Sequence, residues 1–119
     1  QTVMSIFMND PIAIDKVFVQ LPNEPLREVT IQVGRPFKDP EYPDEWLCPA
    51  SLEPLHSNLL PARSNSAFQS LCLANARVLN LLHEVVEKGG SVWLEPGASF
   101  PFEAYAFGVA VSLPNSYSR

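Results

Sequence analysis

Long apolar runs are missing from this chain. No stretch reaches the length of about 18 residues that a membrane-crossing helix needs, so no such helix is expected. Basic residues are scarce, eight against thirteen acids. The resulting charge of −5 and pI near 4.9 exclude a phosphate-dominated nucleic-acid binder, which needs a basic footprint. The same charge suits steering toward a basic protein partner. Thiols and imidazoles are scarcer still: Cys48, Cys72, His56 and His83. A zinc site wants paired ligands at short spacing, and neither Cys48–His56 nor Cys72–His83 provides a doublet, so no metal is expected. No phosphate-cradling or dinucleotide glycine motif occurs among the five glycines, and no cofactor is expected. The first residues, QTVMSIFMNDP, lack a basic stretch ahead of their short apolar patch, so a secretory leader is not expected either. Reduced thiols and a cytoplasmic location follow from that expectation.

Proline, by contrast, is abundant: twelve residues in 119, about twice the usual share of roughly 5%. The prolines cut the chain into short segments joined by irregular connections. With 46% hydrophobic and 18% charged residues, the composition is that of one folded domain over 1–119, with 1–10 and 114–119 frayed.

The longest regular segment runs from Ser66 to Gly89. Ser66 is a good N-cap, and Gln69 stands at the spacing that closes a capping box. Gly89 and Gly90 supply the stop. Between them Phe68, Leu71, Cys72, Val78, Leu79, Leu82, Val85 and Val86 form one apolar stripe, which predicts a helix from about Ala67 to Lys88. Alternation predicts strands at 12–21 and 27–33, joined by the turn PNEP, with Val29, Ile31 and Val33 facing the core. A short strand is expected at Trp46–Cys48 and another at Ser91–Glu95, with Val92 and Leu94 on one face and Trp93 exposed on the other. The pattern is lost from Ala50 to Asn65. Glu103–Leu113 alternates large residues (Tyr105, Phe107, Val109, Val111, Leu113) with small ones, predicting a final strand whose small-residue face could meet a second copy. The expected fold is α+β: an antiparallel sheet of four to five strands packed on one long helix.

The order REVTIQVGRP, acidic loop, W-x-C-P, Ser-capped helix, V-W-L resembles a family of short bacterial proteins of unknown function over about Val17–Leu94. The sequence departs from that pattern after Pro49, where ASLEPL lacks the family's aromatic and glycine. The resemblance implies a bacterial source, an α+β fold and no activity.

Two functional readings follow. In the first the chain is a non-enzymatic protein-interaction module, binding a protein partner or itself as a homodimer, and in one form an immunity or inhibitor protein. Its binding residues would be Asp39, Glu41, Tyr42, Asp44 and Trp46 on a proline-stiffened acidic loop, together with Trp93. In the second it is a small enzyme or ligand-binding domain with a pocket between the helix and the 35–65 loops. Cys48 and His56 would then be the candidate nucleophile and base, and Arg35 the candidate anion contact.

Overall fold

A computed structural model describes residues 8 and 10–105. Among the described residues eight strands and one long helix follow one another as β1 (Pro11–Gln20), β2 (Arg27–Gly34), β3 (Phe37–Lys38), β4 (Trp46–Cys48), β5 (Ala50–Glu53), β6 (Ala62–Ser64), α1 (Ala67–Glu87), β7 (Ser91–Glu95) and β8 (Ala98–Ser99), with a 3₁₀ turn at Phe102–Tyr105. One sheet has the order β5-β2-β1-β7-β8 and the other β3-β4-β6, and every pairing in both is antiparallel. The α+β expectation holds, with a second small sheet that the sequence did not announce.

The β1–β2 hairpin closes on the turn Leu21–Glu24. Pro22 fixes the first central φ, Asn23 takes φ 62°, and the Glu24 N–H donates to the Leu21 carbonyl at 3.1 Å, as a type II turn requires. β2 and β3 then form one arm of a longer hairpin, and β4 and β5 the other. β2 pairs with β5 in the large sheet and β3 with β4 in the small one. The hairpin bends at Gly34 and Pro49, where the Gly34 N–H donates to the Pro49 carbonyl at 2.8 Å.

α1 packs against both sheets. Its N-cap is half of the expected box. The Ser66 hydroxyl accepts the Gln69 N–H at 3.1 Å, but the Ser66 N–H donates to the Ser64 hydroxyl rather than to the Gln69 side chain. At the other end Gly89, at φ +95°, lets its N–H reach the Val86 carbonyl while the Gly90 N–H reaches that of Val85, a Schellman stop. The buried stripe is Ser70, Ala74, Val78, Leu82 and Val85. That corrects the apolar reading: Phe68 is 77% exposed and Val86 41%. Small residues occupy the inner face of the first turns, so packing, not hydrophobicity alone, chose it.

The core is built from Val17, Val19, Val29, Val33, Leu52, Val78, Leu82 and Val92, joined by Cys48 and Ala62 from the small sheet. Each fully buried aliphatic side chain contributes roughly 1.5–3 kcal/mol. Leu94 departs from expectation at 40% exposed. β7 pairs with β1 only through Ser91, Val92 and Trp93, and then turns toward β8, so Leu94 leaves the covered area. Trp93 is half-buried, not exposed, opposite Phe18 on the face away from α1. The sequence missed β5 and β6 in the 50–65 segment. It also extended a strand into Glu103–Tyr105, which is 3₁₀ turn. The rest of that strand, with the small-residue face proposed for a homodimer, lies outside the described residues.

Candidate functional site

Each of the enzyme candidates bonds a group other than its expected catalytic partners. Cys48 is fully buried and its Sγ–H donates to the Gly34 carbonyl at 3.4 Å. Burial pushes its thiol up to about 11, so the thiolate that a nucleophile needs is suppressed. His56 follows β5, bridged to Leu52, with its N–H on the Leu52 carbonyl at 2.8 Å. Arg35 is exposed and its Nε holds the Asp10 carboxylate at 2.8 Å. Among the described residues no three His, Cys, Asp or Glu side chains converge as a metal site, and no helix is long and apolar enough to cross a membrane.

The acidic loop is partly neutralised from within. Arg63, on β6, holds Asp39 at 2.6 Å and Glu45 at 2.5 Å. Asp39 is buried, its carboxylate also accepting the Glu41 N–H at 2.8 Å. That backbone bond first, and Arg63 second, hold its carboxyl below the usual range. Arg63 is in turn held above its ordinary value, chiefly by its bond to Glu45 and then by that to Asp39. Glu41 and Asp44 are left exposed, with Tyr42 at 59% on the turn between them. Trp46 is half-buried, with the Lys38 ammonium 5.8 Å from its ring. Trp93 belongs to the other sheet, so the six expected binding residues divide between two sheets. Arg63 was absent from the sequence reading because nothing local ties a residue near 63 to a loop at 39–45.

Two grooves of about 370 Å³ each flank α1. One lies between α1 and β6, lined by Arg63, Leu73, Arg77 and Asn80, near the place expected for a pocket. Arg77 donates to the Leu60 carbonyl there. The other is more apolar and lies across β1 and β2, walled by Ile31, Val33, Val78, Leu79, Phe100 and Tyr105, with Asp15 and Ala13 at the β1 side. Cys48, His56 and Arg35 line neither.

The apolar groove borders an unpaired strand edge. β1 pairs with β2 from Pro11 to Val19, but with β7 only at Phe18, Val19 and Gln20. Its other side is therefore open over Pro11–Val17 among the described residues. The direction of the backbone groups follows from β7. Phe100 N–H donates to the Val92 carbonyl, so Val92 faces β8, and Ser91 and Trp93 face β1. Their partners Gln20 and Phe18 point back, and by alternation so do Lys16 and Ile14. The Lys16 N–H, on that side, donates to the adjacent Asp15 carboxylate at 3.2 Å. Ile12 and Ile14 flank the edge at 49% and 57% exposed. Asp15 and Lys16, two charges inside an otherwise β-forming run, were the available sequence signal for an edge.

No family model, curated protein or solved structure matches this chain.

Proposed function

We propose that the chain is a non-enzymatic protein-interaction module whose working surface is the open edge of β1. The observation that carries this reading is the edge itself: among the described residues no strand pairs with β1 on the side that the Ile14 and Lys16 backbone groups face, and exposed isoleucines and an apolar groove flank it. Such an edge receives an extended segment by strand addition, with backbone bonds giving affinity and the groove accommodating side chains on one face. An immunity or inhibitor role is the narrower form of this reading, and for that form the net charge of −5 suits a basic partner. Support also comes from the candidate nucleophile, whose raised thiol faces a carbonyl. The test begins with proteins captured by the immobilised chain. One lost with Ile14→Lys but kept with Tyr42→Ala, and which after purification slows amide exchange at Ile12–Lys16, supports the reading. Partners indifferent to Ile14→Lys, or a turnover that depends on Cys48, would overturn it.

The volume and apolar walls of the groove favour a second reading, a small apolar ligand seated against Ile31 and Leu79. Such a ligand would shift the resonances of those residues and leave amide exchange at Ile14 unchanged.

A further inference from the structure

We infer that the strand received at the β1 edge is β1 of a second copy, paired antiparallel about a two-fold axis at Ile14. The inference rests on the strand-addition reading above and names its occupant. Residues directly opposite in an antiparallel pair share a face, so a two-fold must pass through a residue and not between two. Only Ala13, Ile14 and Asp15 lie near the middle of the open edge. An axis at Asp15 would set the two carboxylates directly opposite each other, which is destabilising. An axis at Ala13 would make Ile14 and Ile12 the bonding pair on both sides of it, and Ile12 lies in the bulge between Pro11 and Ala13, outside the regular ladder.

Ile14 meets both conditions. Its N–H and C=O face the open side, so two copies exchange both bonds at this position. Its side chain, on the sheet face away from α1, meets its own counterpart as an apolar cross-strand pair. Asp15 falls opposite Ala13 of the second copy, so the two carboxylates sit only diagonally, about 7–8 Å apart. Lys16 falls opposite Ile12, its alkyl stem covering that exposed side chain, and its own charge stays on Glu28 at 3.7 Å. Like charges are thus kept from direct opposition across the seam. The bulge between Pro11 and Ala13 ends the regular edge, confining the pairing to a short stretch. An edge this small gives a weak dimer, populated from roughly 10 µM to 1 mM.

Sedimentation velocity across that range, with amide exchange read at Ile14 and Lys16 in the same samples, tests the pairing on the full chain. The expected result is a mass rising toward the dimer and exchange at both amides slowing with concentration. Ile14→Pro should weaken the dimer by roughly tenfold or more. It removes a donor that faces the open side, a position at which an edge strand tolerates proline. Should that variant fail to fold, Ile14→Cys in a Cys72→Ala background keeps the proposal testable, because mild oxidation should link two copies through position 14. A monomer at 1 mM whose Ile14 amide exchanges quickly would overturn self-pairing and leave the module reading to a different protein. A monomer whose Ile14 amide exchanges slowly at every concentration would also overturn it, and would place the chain's own residues on the edge. Failure of the module reading is distinct: it shows as a captured partner indifferent to Ile14→Lys.

Discussion

Gly34 and Pro49 meet where the long hairpin bends from one sheet into the other. A Cβ on Gly34 would stand 2.6 Å from the Pro49 ring Cγ and 3.2 Å from the Met8 sulfur. The proline ring is stiff and fully buried, so it cannot swing aside. Gly34→Ala should therefore destabilise the fold by about 1–3 kcal/mol, the usual range for forcing a methyl group into a filled space. Urea denaturation checks this, and Gly97→Ala, with open space around its Cβ but φ +93°, separates crowding from backbone strain.

Arg63 predicts an acid-side effect. Asp39 is held below its ordinary value of 3.8, so its contribution to stability is fully present above that value and is lost as pH falls through the lower folded value. Asp39→Asn should lower stability at neutral pH and flatten the fall below about pH 4. Denaturation midpoints of both proteins between about pH 2 and 7 would show it. A parallel pair of curves would mean that the Asp39 carboxylate does not sense folding.

How far the sequence disclosed these features depended on how local each one is. The helix and the strands at Arg27–Gly34, Trp46–Cys48 and Ser91–Glu95 could be read because period and caps are written within each segment. β5 and β6 could not, since four and three residues carry no usable period and their existence rests on β2 and β4 as partners. Alternation and stripe alone place Leu94 and Phe68 in the core, yet both are exposed: Leu94 lies past the end of the β1–β7 pairing, and Ser70 and Ala74 take the inner face near Phe68. The candidate site divides in the same way. The acidic loop was visible as composition, but its neutralisation by Arg63 was not, and among the described residues the edge of β1 is open because β7 leaves after Trp93.

The half-formed capping box gives a contrast within one turn of α1. Ser66 provides the hydroxyl that satisfies the Gln69 N–H, whereas the Gln69 side chain plays no part in the cap. Ser66→Ala should cost about 1 kcal/mol, and Gln69→Ala should be near neutral. Thermal unfolding of the two variants decides between half a box and a full one, for a full box would make both substitutions costly.

Cys48 carries the last prediction, because it separates a buried packing residue from a nucleophile. Its thiol is pushed up from 9.0 to about 11 by burial. Below the unfolded value both states keep the proton, and the group adds no pH dependence. Between about 9 and 11 the unfolded chain loses a proton that the folded chain retains, so stability should fall across that window. Tyrosine and lysine residues titrate in the same region, and the comparison with Cys48→Ala isolates the thiol. Urea midpoints at about pH 8 and pH 10 should differ more in the wild type than in the variant. A disulfide reagent at neutral pH gives the complementary measurement: half-buried Cys72 should react well before Cys48. If Cys48 reacted first, its thiolate would be accessible in the folded state, and the enzyme reading would displace the interaction module.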